Sequence, residues 1–88
     1  MQSPESQAIV SRFFQALERL KAERVIRGKQ TFTRRYGINR RNLYTLEKDN
    51  ARDILQLSWL SHLVNDYNVS PLWLLTGRGD FHPPSEAR

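Results

Sequence analysis

The chain of 88 residues contains no cysteine, which excludes disulfide bonds and thiolate-bound metal ions as supports for its fold. Its two histidines, His62 and His82, are far apart and have no paired acid at the spacing of metal ligands, so we expect neither a metal site nor a cofactor. No apolar run approaches the roughly 20 residues of a membrane-spanning helix, and the N-terminus lacks the features of a signal peptide. We expect a cytoplasmic protein without membrane contact.

The sequence also lacks the signs of a catalytic centre. It contains no nucleophile motif such as GxSxG, and a chain of this length forms one small domain with one core. A cleft between domains is therefore excluded, and no pattern indicates a small-molecule ligand. We expect a binding protein and not an enzyme.

Acidic residues are in the minority, at 9 against 14 basic residues, and the basic excess is unevenly distributed. Residues 24–48 contain eight basic side chains and one acid, a charge of +7, whereas the whole chain carries +5. The residues outside this segment therefore carry a net charge of −2. A positive charge confined to one segment is typical of a surface that binds polyphosphate, such as double-stranded DNA.

The same region, residues 29–48 with the sequence KQTFTRRYGINRRNLYTLEK, has the pattern of two short helices joined by a tight turn. Phe32 and Tyr36 stand four positions apart, and Leu43 and Leu46 three, which places each pair on one helical face. Between the pairs stands Gly37, the residue type that adopts a left-handed backbone most easily. We therefore predict a helix-turn-helix.

This motif and a later segment resemble the phage-repressor and Cro-like (XRE-type) helix-turn-helix family. The resemblance rests on Gly37 with the apolar Phe32, Ile38, Leu43 and Leu46 around it, followed by the run VSPLWLLTGRG at residues 69–79. It covers roughly residues 8 to 80. It implies an all-α, five-helix Cro/repressor-like helix-turn-helix domain with an extended first helix, whose second motif helix lies in the major groove of DNA.

The first helix is predicted from about residue 6 to residues 24–27, after a polar leader of residues 1–5. Its apolar face consists of Ile9, Phe13, Leu17 and Leu20. The neighbouring pair Val10 and Phe14 has two interpretations. The pair either widens the face that covers the core or packs against a second subunit.

The fourth helix follows a polar loop at residues 49–53, and two residues compete as its N-cap. Either Asp53 or Ser58 has the required side chain, and we favour Ser58. Asn68 is suited to a left-handed cap at the other end of the helix. The spacing of the apolar residues between them indicates a helix that packs on the core.

A serine followed by a proline, Ser70 and Pro71, predicts the start of a short fifth helix. We assign residues 1–80 to one helix-turn-helix domain and residues 81–88 to a flexible C-terminal tail. Trp59 and Trp73 fall in apolar helical patterns, so we expect them in the core.

Helical spacing divides the second motif helix, which begins at Asn39 or Arg40, into an inward and an outward face. Leu43 and Leu46 point inward. Arginine can donate two hydrogen bonds to guanine and asparagine can pair with adenine, each contributing about 1 to 3 kcal/mol of discrimination. We predict base contacts from the outward residues Arg40, Arg41, Asn42, Tyr44 and Thr45.

Phosphate contacts are predicted from Lys29, Gln30, Thr31, Asn39, Lys48 and Arg52. The first three stand at the N-terminus of the first motif helix, where free N–H groups and the helix dipole attract anions. Arg52 is included because relatives with a similar loop contact phosphate there. Lys29 and Thr33 stand where relatives usually have glutamine and a small residue such as alanine. For Glu47 we expect an ion pair with a nearby arginine.

The resemblance implies a prokaryotic or phage-type transcriptional regulator, a repressor, associated with the nucleoid. A homodimer on a two-fold symmetric operator is expected because one recognition helix reads only a few base pairs. Two alternatives stay open. One is a protein-interaction module of the antitoxin or anti-repressor type, and the other is a non-specific architectural DNA-binding protein.

Overall fold

The computed structural model describes residues 3–49 and 55–83, which form five helices and no strand. The helices are α1 (Pro4–Ala22), α2 (Lys29–Tyr36), α3 (Arg40–Lys48), α4 (Leu57–Tyr67) and α5 (Pro71–Thr76). For these residues the prediction of an all-α chain with five helices is confirmed. The first helix is the longest, at 19 residues, and it packs against α3, α4 and α5.

Helix α1 begins and ends earlier than the sequence predicts. The hydroxyl of Ser3 accepts a hydrogen bond from the backbone N–H of Ser6 at 3.2 Å, and Pro4 occupies the first helical position. A serine cap followed by proline is a strong start signal that lies inside the predicted polar leader. At the other end, the helix closes at Ala22 because Arg24 adopts a left-handed backbone with φ 63°.

The core forms around the apolar face of α1. Its aromatic centre is Phe13, whose ring lies 5.7 Å from Phe32 on α2 and 5.9 Å from Trp59 on α4. Val10 is fully buried and Phe14 is 8% exposed within the same chain. Their burial supports the interpretation that the pair widens the face that covers the core. Both side chains are already covered by the chain's own helices.

Helix α4 begins one residue before the predicted cap, at Leu57 with Gln56 in the N-cap position. The prediction of Ser58 as N-cap is wrong, because Ser58 already lies in the first turn. The side chain of Gln56 makes no capping hydrogen bond. At the other end Asn68 closes the helix in a left-handed conformation with φ 55°, as predicted.

Helix α5 starts where the sequence predicts. One arginine of α1 forms hydrogen bonds to its last turn. The hydroxyl of Ser70 accepts from the backbone N–H of Trp73 at 3.3 Å. Arg12 of α1 donates from Nε to the carbonyl of Leu74 at 2.8 Å and from Nη2 to the carbonyl of Leu75 at 3.0 Å. These carbonyls belong to the last turn of α5, where helical partners are lacking.

We expect the substitution Arg12→Met to lower the free energy of unfolding by about 1.5 to 3 kcal/mol, the range for hydrogen bonds that involve a charged group. Methionine keeps the aliphatic stem, so the loss comes from the donors to the α5 carbonyls. Urea unfolding followed by circular dichroism measures it. Arg78→Met, at an exposed position after α5, is the control and should change stability by less than about 0.5 kcal/mol.

The predicted flexible tail differs from the structure at its first residues. Phe81 is only 3% exposed, and its ring lies 4.9 Å from that of Trp73 and 4.3 Å below the guanidinium of Arg19. Its carbonyl also accepts from the backbone N–H of Ser70 at 2.7 Å. The packed unit therefore extends past residue 80. Residues 84–88 of the predicted tail lie outside the described residues.

His82 joins the end of this segment to the end of α1. Its Nδ1 lies 2.7 Å from the carbonyl oxygen of Asn68, and its Nε2 lies 2.8 Å from a carboxylate oxygen of Glu23. Both partners are acceptors, so only the doubly protonated imidazolium can donate to both. The hydrogen bond to Asn68, together with that to Glu23, raises the pKa of His82 above 6.5, against opposing effects of burial and of Arg19.

A raised pKa in the folded state means that His82 stabilises the fold fully below about pH 6.5, its ordinary value. The contribution is lost as the pH rises through the higher folded-state pKa. We expect the melting temperature of the wild type to fall across this window by more than that of His82→Gln. Thermal unfolding at a series of pH values tests this, and parallel curves for the two proteins would contradict it.

Candidate nucleic-acid interface

The turn between α2 and α3 fixes how α3 is presented. Gly37 has φ 65° and ψ 32°, and the N–H of Ile38 donates to the carbonyl of Thr33 at 2.9 Å. The side chain of Asn39 then accepts from the N–H of Asn42 at 3.1 Å and starts α3. The predictions of a left-handed glycine and of an asparagine cap are confirmed. Three residues therefore separate two helices of defined orientation.

Thr33 fits the close approach of α2 to the core. It is buried, and its hydroxyl donates to the carbonyl of Gln30 at 3.1 Å, so its polar atom is satisfied within α2. Threonine therefore does not leave an unpaired buried hydroxyl at a position where alanine is common in the family that the chain resembles.

Helix α3 separates apolar and polar residues as its spacing predicts. Leu43 and Leu46 are fully buried. The opposite side lines an open depression with a volume of about 700 Å³, which we call the α3 surface. It is lined by Asn39, Arg40, Arg41, Tyr44, Thr45 and Lys48. Four of the five predicted base contacts and two of the predicted phosphate contacts thus lie together.

Asn42, the fifth predicted base contact, is exposed but lines a different and smaller pocket of about 260 Å³. This pocket lies between the α2–α3 turn and the start of α4, where Gln56 and Ser58 also line it. Thr45 belongs to the α3 surface but is half-buried. The structure therefore groups Asn42 with the turn rather than with the arginines.

The cations of the α3 surface have no acidic partner among residues 3–49 and 55–83. Arg40, Arg41 and Lys48 are exposed, and none of them forms an ion pair with any residue in the described part of the chain. Their charges are therefore available to an anionic ligand. Tyr44 and Thr45 add hydroxyl groups that both donate and accept hydrogen bonds.

Lys29 has a different environment from the one the sequence predicts. Its Nζ lies 2.8 Å from a carboxylate oxygen of Glu47 on α3 and 3.6 Å from one of Glu18 on α1. The hydrogen bond to Glu47 is the main cause that raises the pKa of Lys29. Lys29 thus joins three helices, and its charge is balanced. Glu47 forms the predicted ion pair, but its partner is this lysine and not an arginine.

Two of the other predicted phosphate contacts, Gln30 and Thr31, do not line the α3 surface. Gln30 is exposed, and the hydroxyl of Thr31 accepts from the backbone N–H of Arg27 at 3.3 Å. Arg52 lies outside the described residues. Arg34 was not among the predicted contacts, although helical spacing from Thr31 places it on the same outer face of α2.

Helix α2 is also held against α4 by an aromatic and polar contact. The rings of Tyr36 and His62 stack at 3.8 Å between centroids, and the Tyr36 hydroxyl donates to Asp66 at 2.6 Å. Burial, followed by the hydrogen bond to Asp66, raises the pKa of Tyr36. The tryptophans lie in the core as predicted, with Trp59 and Trp73 both buried. These contacts fix the position of α2 and thus of the turn.

Among residues 3–49 and 55–83, no three His, Asp or Glu side chains are grouped so that they could hold a metal ion. In the same residues no helix has both the length and the apolar character to span a membrane. Comparison with protein-family models, curated proteins and solved structures returned no match.

Proposed function

We propose that this chain binds double-stranded DNA in a sequence-specific manner through α3 and acts as a transcriptional regulator of the prokaryotic or phage type. The observation that carries the proposal is the α3 surface, where several hydrogen-bonding side chains share the exposed side of one helix with three cations that form no ion pair among the described residues. The major groove, about 12 Å wide, admits an α-helix presented in this way. The chain acts by occupying a site and not by catalysis.

Base recognition is assigned to the outward side chains of α3. Arg40 and Arg41 stand in the first turn, where recognition helices approach the base edges, and each guanidinium can donate two parallel bonds to guanine. Thr45, one turn further, offers a hydroxyl and a methyl group. The proposed helix-turn-helix then consists of α2, the turn at Gly37, and α3, as in the Cro-like proteins that the sequence resembles.

Phosphate contacts are assigned to the two ends of α3. The Oδ1 of Asn39 is occupied as a cap, which leaves its amide N–H groups to donate to a phosphate. Lys48 lies in the last turn and supplies a charge without the planar geometry that base recognition favours. Both residues border the α3 surface, so they would set the register of the helix in the groove.

We further propose that two copies bind a two-fold symmetric site. Val10 and Phe14 offer little accessible area to a partner, because both are buried within one chain. Leu72 and Leu75 are the better candidates, since they are three positions apart on α5 and more than half exposed. Their apolar area is small, so the dimer is expected to form mainly on DNA, where both copies are held together.

Selection from a random pool of double-stranded DNA at near-physiological salt tests the proposal. Recovery of a two-fold symmetric sequence supports a dimeric, sequence-specific regulator. Recovery of a single asymmetric half-site would remove the dimer and keep the rest. If no sequence is enriched although DNA is bound, the chain is an architectural protein, and if no DNA is bound, a protein partner replaces DNA in the account.

A further inference from the structure

The connection between α1 and α2 is a rigid loop that carries two arginines. The backbone N–H of Val25 donates to the carbonyl of Leu20 at 2.9 Å, and Ile26 is buried in the core. Arg24 and Arg27 flank this anchored pair and are exposed. The hydrogen bond from the N–H of Arg27 to the hydroxyl of Thr31 ties the loop to α2. The two guanidinium groups therefore project from fixed backbone positions.

Arg24 occupies a backbone position that favours other residues. Its φ of 63° lies in the left-handed region, where a side chain is strained and glycine or asparagine is preferred. The chain follows this preference after α2, α4 and α5, which are capped by Gly37, Asn68 and Gly77. After α1 the C-cap is Glu23, and the left-handed residue is Arg24, one position later, where an arginine opposes the local stability of the turn. The stability of the turn therefore does not account for the arginine side chain at residue 24.

The two loop arginines belong to a larger basic surface. Together with Arg34 and Arg35 of α2 they line a second depression of about 490 Å³, which also includes Thr31 and the exposed Val25. We call this the arginine surface. No acidic residue lines it. Within the part of the chain that the structure describes, Arg24, Arg27 and Arg34 form no ion pair, and Arg35 approaches Asp66 at only 3.9 Å.

We propose that the arginine surface binds the sugar-phosphate backbone of the same duplex that α3 reads, outside the groove that α3 occupies. This inference rests on the proposed function. The arginine surface shares no residue with the α3 surface, yet both belong to consecutive helices joined by a three-residue turn. Because α2 has eight residues and is therefore only about 12 Å long, the two surfaces are near enough to contact one duplex.

The composition of the surface favours a nucleic-acid backbone over an acidic protein segment. Protein interfaces have an apolar centre, whereas interfaces with DNA are polar and positively charged. Here the only exposed apolar side chain in the lining is Val25, and four arginines surround it. Guanidinium groups donate pairs of hydrogen bonds that match phosphate oxygens.

The test is the salt dependence of binding to the selected duplex and to a random duplex of equal length. For the variant R27Q/R34Q we expect the slope of log K against log salt to decrease in magnitude by about two, since each phosphate contact contributes about 0.9. The preference for the selected duplex should stay unchanged, because phosphate contacts carry no base information. The control K21Q/R78Q removes two exposed charges that lie outside both surfaces and should keep the wild-type slope.

A second variant separates a ligand contact from a structural role. Arg24→Gly removes the side chain and the strain at a left-handed position, so the melting temperature should stay equal or rise while the salt slope decreases by about one. A substitution that merely unfolded the protein would lower both the melting temperature and the salt slope. If R27Q/R34Q and Arg24→Gly both keep the wild-type slope of log K against log salt, the inference is overturned.

The outcomes distinguish the two proposals. If the wild type binds DNA and R27Q/R34Q keeps the full slope, the arginine surface does not contact the duplex, although the proposed function stands. If R27Q/R34Q instead loses binding to a polyglutamate peptide, the surface belongs to an acidic protein partner, which also overturns the inference. If the wild type binds no duplex at any salt concentration, both proposals fail.

Discussion

The double variant Arg40→Ala/Arg41→Ala should lose about 2 to 6 kcal/mol of binding free energy on the selected duplex, because each bidentate arginine–guanine pair contributes about 1 to 3 kcal/mol. On a random duplex the loss should be smaller and should reflect only the two missing charges. Fluorescence anisotropy with labelled duplexes measures both affinities. For the double variant, the ratio of the affinity for the selected duplex to that for the random duplex should therefore approach one.

The charge-conserving variant Arg40→Lys/Arg41→Lys is the matched control for this result. Lysine keeps the positive charge but lacks the planar fork, so we expect preserved binding to random DNA and reduced preference for the selected site. Because both arginines are exposed and unpaired, neither variant should change the melting temperature by more than a few degrees. Equal losses on both duplexes would show that these residues hold phosphate and do not read bases.

Removal of the Phe32 ring should produce the largest loss of stability. The ring is fully buried, and its centroid lies 5.7 Å from that of Phe13 on α1, 6.3 Å from that of Tyr67 on α4 and 5.1 Å from that of Tyr36 on its own helix. We expect Phe32→Ala to lower the free energy of unfolding by about 3 to 5 kcal/mol, through lost burial and the cavity that remains. For a domain of this size that corresponds to a decrease in melting temperature of more than about 12 °C.

Urea and thermal unfolding measure this effect, with Phe32→Leu as the control that keeps most of the apolar volume. We expect the leucine variant to lose clearly less stability than the alanine variant. If α2 instead detaches without unfolding the rest, each unfolding curve should show two separate transitions. A loss below about 1 kcal/mol for Phe32→Ala would contradict the assignment of this ring to the common core.

The basic residues of the chain serve different purposes, although they are adjacent in the sequence. Lys29 is balanced by Glu18 and Glu47, and Arg12 is used to fasten α5. Among the described residues, Arg40, Arg41 and Lys48 of the α3 surface and Arg24, Arg27 and Arg34 of the arginine surface form no ion pair. A net charge of +7 in residues 24–48 therefore does not measure the number of ligand contacts. Only side chains without a partner in the protein retain their charge for an anion.

Features that depend on local chemistry were predictable from the sequence. The burial of Leu43 and Leu46 follows from helical spacing, and the turns at Gly37 and Asn68 follow from residues that tolerate a left-handed backbone. The start of α5 follows from its serine and proline. Each of these depends on residues within one or two turns of one another.

Features that depend on distant contacts were not predictable. Phe81 is apolar but isolated in a polar segment, and its burial depends on distant contacts such as the ring of Trp73 and the cation of Arg19. The pairing of Lys29 with Glu18 requires the packing of α1 against the motif. The N-cap of α4, Gln56, makes no side-chain hydrogen bond, so no local signal marks the first residue of this helix.

Methylation interference on the selected duplex tests most directly whether α3 reads bases. Methylation of guanine N7 removes the acceptor that a bidentate arginine uses. With the wild type, methylation of particular guanines in the site should block binding, and with Arg41→Ala the block should disappear at one of them and persist at the others. An identical interference pattern for the two proteins would contradict base contact by Arg41 and with it the proposed orientation of α3.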